Sequence, residues 1–207
     1  MTRLVLVRHG PTRWNEEGRI QGRTDVALSA AGVAEVRRWR LPAEFQADRW
    51  FSSPLLRAVQ TARLLGAIEI NFEPMLGEMR WGTWEGRRLD EIRNDDPGGT
   101  ADIEARGLDF APPGGESPRL VQGRAAPFLA ARARAAAPAI AVTHKGVIRA
   151  LYAQATGWPM LGKPPDRLDW SAAHVFTLGP SGALSVERLN VRLRSVDDDT
   201  PCPPRLF

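Results

Sequence analysis

Short apolar, β-branched runs alternate along the chain with longer stretches whose apolar residues recur at helical spacing. This alternation predicts an α/β fold on a largely parallel sheet. The runs are LVLV (4–7), DRWFSS (48–53), AIEINF (67–72) and AIAVT (139–143). HVFTL (174–178) and LSVERLNV (184–191) flank Pro180-Ser181-Gly182 and predict a closing hairpin beside the parallel strands. Among the helical stretches, Ser29 caps AAGVAEVRRW, while Ser53 and Pro54 supply an N-cap and a first-turn proline for PLLRAVQTARLL, with Gly66 as its C-cap. A helix after Ser117 takes in RAAPFLAARARAAAP with its arginines on the wet face, and another follows His144 through GVIRALYAQATG. From Pro74 to Pro118 the pattern breaks, and DPGG and APPGGESP predict irregular backbone around a short helix near Arg88 to Arg93. Insertions of this length commonly act as lids.

Composition narrows the function. An apolar fraction of 43% suffices for a sizeable core in 207 residues. The 28 Lys and Arg exceed the 24 Asp and Glu by four and are scattered rather than clustered, which favours local anion sites over a nucleic-acid surface. Cys202, the single cysteine, lies in TPCPP and cannot form an intrachain disulfide. Arg8 interrupts the first apolar run, and no later run approaches the ~18–20 residues of a membrane span. A soluble cytoplasmic protein with no membrane partner is expected, ending in a solvated acidic run at Asp197 to Asp199.

Two of the strands end alike. LVLV runs into Arg8-His9-Gly10, and AIAVT into His144-Lys145-Gly146. Ligands of open parallel sheets bind outside the carboxyl ends of the strands, so histidines on neighbouring central strands converge on one site. Arg57 falls in the first turn of the helix after the second strand, where free backbone N–H groups already favour an anion. Two guanidinium forks, from Arg8 and Arg57, beside two histidines suit the several oxygens of a phosphate. His9, His144 and His174 show no paired metal-ligand spacing, and His174 reads as a packed or edge residue of its strand.

LVLVRHGPTRWN, RIQGRTDVALSAAG, SSPLLRAVQTA, LGEMRWGTWEG, PPGGES and VTHKGVIRAL, taken in order, resemble the histidine phosphatase superfamily, the phosphoglycerate mutase-like family (branch 1), from about residue 3 to residue 152. The resemblance implies a three-layer α/β/α fold with a mostly parallel central sheet. One domain is expected over 1–195, with a lid insertion at about 79–118 and a tail over 196–207. It implies a phosphomonoester phosphatase, metal-independent and without cofactor, acting on a small phosphorylated metabolite; a homodimer is left open. His9 matches the family's nucleophile, which forms a phosphohistidine and splits a slow hydrolysis into two transfers. Arg8, Arg57 and His144 match the groups that hold the phosphoryl oxygens. Asn15 matches a phosphate-contacting position, and Gln21 and Gly22 lie in the loop the family places beside the pocket. Glu78 matches the proton donor, which in the second step takes a proton from water. Glu85 and Glu116 are rival carboxylates better placed to support loops.

Lys145 departs from the pattern, since the family commonly has glycine there. Its side chain either joins the anion site or faces solvent. Arg80, Arg87, Arg88, Arg93 and Arg106 make the insertion basic, either for a second anionic group of the substrate or as plain surface charge. Trp81 and Trp84 wall the pocket or pack in the core. Two other activities stay open. One is mutase-type phosphoryl transfer, although the family's phosphoglycerate mutases typically carry a longer insertion; the other is a catalytically poor regulator that binds phosphorylated ligands.

Overall fold

The computed structural model of the chain describes residues 1–46 and 48–195. The expectations for Asp197 to Asp199 and Cys202 lie outside them. In chain order the elements are β1 (Thr2–Arg8), α1 (Arg13–Glu16), α2 (Ala30–Arg38), β2 (Trp39–Arg40), β3 (Arg49–Ser52), α3 (Leu56–Leu64), β4 (Asn71–Phe72), α4 (Leu89–Asp95), α5 (Pro97–Glu104), α6 (Pro118–Ala135), β5 (Ala139–Thr143), α7 (Lys145–Thr156), β6 (Ala172–Leu178), β7 (Leu184–Arg192) and β8 (Arg194–Ser195). Six strands form the main sheet in the order β4-β3-β5-β1-β6-β7. The first four run parallel, and the β6–β7 hairpin adds two antiparallel strands against β1. β2 and β8 pair separately.

Alternation along β1 builds the layers. Leu4 and Leu6 pack with Val121, Phe128 and Leu129 of α6 and Ile148 and Leu151 of α7. Val5 and Val7 face the other way, onto Val36 of α2 and Ala58 and Ala62 of α3. All four β1 side chains are essentially inaccessible, and each such burial contributes about 1.5–3 kcal/mol. The sheet is thus covered on both faces, as parallel strands require. No helix of the described residues is long and apolar enough to cross a membrane.

Several elements differ from expectation. The strand foreseen over 67–72 shrinks to Asn71–Phe72 at the sheet edge. Residues 66–68 are instead tied to the end of α3: Gly66 is left-handed at φ 102°, Ala67 N–H donates to the Ala62 carbonyl, and Arg63 donates to the Ala67 carbonyl. The insertion is more helical than foreseen. Asp96 caps α5 by accepting from Gly99 N–H, with Pro97 in the first turn, so the DPGG segment starts a helix. Ser29 caps α2 as expected, and Ser117 caps α6 by accepting from Leu120 N–H. The arginines of α6 do not all face water, for Arg124 turns inward.

Helix α2 lies hard against the loop that leaves β1. A methyl group on Gly32 would sit 2.0 Å from the Pro11 carbonyl oxygen, whereas one on Gly123 in α6 would meet nothing within 4 Å. Gly32→Ala should therefore push the loop off its helix and destabilise the protein by about 1–3 kcal/mol. Gly123→Ala should stabilise it by about 0.5–1 kcal/mol through helix propensity alone. Urea unfolding of the two variants checks both signs, and equal shifts would contradict the packing described.

Candidate active site

Parallel pairing of β1 with β5 sets Arg8 opposite Thr143, and His9 N–H extends the ladder by donating to the Thr143 carbonyl at 3.0 Å. His9 and His144 are thereby neighbours, with ring centroids 5.1 Å apart. His9 is buried, and its Nδ1 lies 2.7 Å from the Gly10 carbonyl oxygen. A carbonyl only accepts, so Nδ1 carries the proton and Nε2 keeps its lone pair. Burial, reinforced by the charges of Arg8 and Arg57, holds the His9 pKa well below the ordinary histidine value. The ring is neutral at neutral pH. His144 is inaccessible and likewise held well below its ordinary value by burial, then by Arg57, His9, Arg23 and Arg124. Its Nε2 lies 2.8 Å from Ser53 Oγ, and its buried Nδ1 has no partner.

Ser53 does not cap α3. The cap is Leu55, without a side-chain hydrogen bond, and Leu56 N–H donates to Asp25 Oδ1 at 2.6 Å from a distant loop. Ser53 is left to meet His144. Arg57 stays in the first turn of α3 and is fully buried, donating to the Gly22 carbonyl at 2.7 Å and the Thr24 carbonyl at 3.0 Å. Burial lowers the pKa of both Arg57 and Arg8, with Glu78 opposing the fall, and the buried Nε of each has no partner. Arg23 joins them: its Nε is also buried without a partner, and its charge acts on His144. The sequence reading passed over Arg23, for which the only signal was a place two residues beyond Gln21.

Glu78 is buried between two backbone donors. Met79 N–H reaches Oε1 at 2.7 Å and Gly146 N–H reaches Oε2 at 3.2 Å. Burial raises its pKa, although both bonds and the charges of Arg57 and Arg8 pull the other way. Arg124 of α6 clamps the segment, donating to the Gly77 carbonyl at 2.7 Å, the Glu78 carbonyl at 3.2 Å and Glu116 Oε1 at 3.1 Å. Glu116 also accepts from Arg80 N–H, and Glu85 accepts from Thr24 N–H, so both carboxylates brace loops.

The remaining candidates divide. Asn15 accepts from Thr12 N–H and Thr12 Oγ in a capping box on α1, which leaves its amide N–H groups to donate. Gln21 is buried and donates to Thr12 Oγ at 3.0 Å. Gly22 touches the site through its carbonyl on Arg57. Lys145 is exposed, and its Nζ lies 5.3 Å from the Trp170 ring centre, so it faces a separate cavity. Arg87, Arg88 and Arg93 are paired with Asp95, Asp90 and Glu104. Trp84 is buried and packs edge-on to Phe110, as does the more exposed Trp81. Trp81 and Phe110, with Ile20, Met79, Leu89 and Met160, line a cavity of about 510 Å³ that reaches Gly146 beside Glu78. Among the described residues, no group of three or more His, Cys, Asp or Glu could hold a metal ion.

A neutral imidazole with a free Nε2, buried guanidinium groups and a carboxyl of raised pKa make a site for nucleophilic attack on phosphorus. Known proteins resemble this chain over most of its length. A glucosyl-3-phosphoglycerate phosphatase of Mycolicibacterium vanbaalenii is 34% identical over 88% of this chain and 89% of its own. A 2,3-bisphosphoglycerate-dependent phosphoglycerate mutase of Methylobacterium radiotolerans is 36% identical over 72% of this chain and 76% of its own. The solved structure of Bacillus stearothermophilus YhfR superposes with a TM-score of 0.78 at 29% identity, covering 92% of this chain and 98% of that one. The model of the histidine phosphatase superfamily, branch 1, matches residues 4–191, and the chain belongs to that family.

Proposed function

We propose that this protein hydrolyses a small phosphomonoester in two steps, with His9 as nucleophile and Glu78 as the proton-transfer group. The observation that carries the reading is the His9 ring, pinned by the Gly10 carbonyl so that an unprotonated Nε2 stands among Arg8, Arg57 and His144. In the first step the Nε2 lone pair attacks phosphorus, the bond to the ester oxygen breaks, and protonated Glu78 gives that oxygen its proton. In the second, the Glu78 carboxylate takes a proton from a water that attacks phosphorus, and the P–N bond breaks to restore His9. Arg8, Arg57 and His144 hold the three phosphoryl oxygens where charge accumulates, with Asn15 donating from the edge. Gln21 and Gly22 support the loop that carries Arg57's carbonyl partners.

A mutase reading shares every group and differs only in the second acceptor, a substrate hydroxyl in place of water. The likeness to the Methylobacterium mutase favours keeping it in the test. We also infer that the chemistry needs no metal, because the proposed machinery consists of imidazole, guanidinium and carboxyl groups.

Rapid quenching with a labelled phosphomonoester should trap an acid-labile, alkali-stable phosphoenzyme in the wild type and none in His9→Ala; a phosphoenzyme that persists in the variant removes His9 from the nucleophile role. Adding acceptor alcohols to the same assay separates hydrolysis from transfer. Turnover should be unchanged by EDTA, and activity lost on chelation and restored by a divalent cation would contradict the metal-free reading. The pH profile is set by opposite shifts. His9 must be neutral and is held well below the usual histidine value, so activity with an alkyl phosphate should persist below pH ~6.5. Glu78 must be protonated for the first step, so the rate should fall as pH rises through its raised pKa, a limb missing in Glu78→Gln. An alkaline limb unchanged in Glu78→Gln would assign the proton elsewhere.

A further inference from the structure

Beside the catalytic centre lies a cavity of about 890 Å³ that the phosphoryl chemistry does not use. Lys145, Arg149, Lys163 and Arg167 contribute four cations to its wall, against one carboxylate, Asp169. Asp169 is already engaged by Ser171 and by the charge of Arg167. Lys145 and Arg149 stand four residues apart on one face of α7. Each leans on an indole, with Lys145 Nζ 5.3 Å from the Trp170 ring centre and the Arg149 guanidinium 5.5 Å from that of Trp158. Among the described residues, neither has a carboxylate oxygen within ion-pair distance. Partial desolvation, then the charges of Arg8 and Arg149, lowers the Lys145 pKa against a raising pull from Glu78, and desolvation lowers that of Arg149.

The position of this cavity matters as much as its charge. Lys145 directly follows His144, and it feels the charges of Arg8 and Glu78. Arg149 lines both this cavity and the apolar one that begins at Gly146, whose N–H holds Glu78. A continuous wall of α7 therefore leads from the proton donor, past an apolar chamber, to two uncompensated cations. Phosphate esters with a second anionic group at the far end of an apolar or sugar body match that sequence of surfaces.

We propose that Lys145 and Arg149, with Lys163 and Arg167 behind them, bind the second anionic group of a doubly anionic substrate whose phosphoryl group sits at His9. The proposal rests on the phosphatase reading and names the substrate class of the same site. Lys145 in place of the family's glycine is then a specificity residue, acting at the distal end of the substrate rather than on phosphorus.

The test is a ladder of straight-chain alkane bisphosphonates, measured by titration calorimetry against alkyl monophosphonates of the same length. Neither series is hydrolysed, so turnover does not enter. In the wild type, at least one length of bisphosphonate should bind tenfold or more tightly than its monophosphonate. Lys145→Met and Arg149→Met should each shrink that ratio, and together bring it near one. Lys145 is exposed, so its variant is expected to fold even if Arg149→Met does not. A ratio near one at every length in the wild type overturns the second site while monophosphonate binding leaves the phosphoryl site standing. A ratio that survives Lys145→Met and the double variant overturns it too, and failure of both series to bind counts against both readings.

Discussion

Buried positive charge at the carboxyl ends of β1 and β5 is the constraint around which the rest of the site is arranged. Arg8 and Arg57 bring guanidinium groups into a space where an unpaired charge costs several kcal/mol. The protein offsets part of this with its own groups. Arg57 spends its terminal nitrogens on the Gly22 and Thr24 carbonyls, and Glu78 supplies one nearby carboxyl group. The two histidines stay neutral because the same cations and the same burial oppose a further proton. A phosphoryl group entering the site relieves this excess, and the transition state, with more charge on its oxygens, relieves it further.

The same balance shapes Glu78, the proposed proton donor. A carboxyl held by two backbone N–H groups and two nearby arginines would ordinarily ionise readily, yet burial outweighs these and the Glu78 pKa rises. That balance depends on the segment staying in place. Arg124 reaches across from α6 to grip the carbonyls of Gly77 and Glu78, while Glu116 holds both Arg124 and the next turn of chain. Glu78 is thus positioned by a helix outside the central strands, and the insertion that follows begins from a point held by Arg124.

Specificity is assigned to a different surface. The insertion arginines, which invite a reading as substrate contacts, are mostly taken up by Asp95, Asp90 and Glu104. The uncompensated cations instead lie on α7, in a helix whose first residues also serve the catalytic centre. One helix thereby joins the catalytic centre to the surface proposed for the second anionic group.

Sequence by itself determined the features that are local and periodic. The apolar strands, their terminal histidines, the serine cap of α2 and the acidic residue of the LGEMRWGTWEG segment are set by neighbours in the chain, where propensity and side-chain alternation act. It did not determine pairings between distant segments. That Ser53 meets His144 rather than capping α3, that Asp25 caps that helix from another loop, and that Arg124 turns inward to hold Glu78 follow from contacts spanning dozens of residues. The shortened β4 belongs with these, because the end of α3 claims backbone that propensity alone would have left to a strand. Only the folded chain placed Lys145 as well: residue type left its surroundings open, and Trp170, brought close in space from 25 residues further along the chain, supplies the ring it leans on.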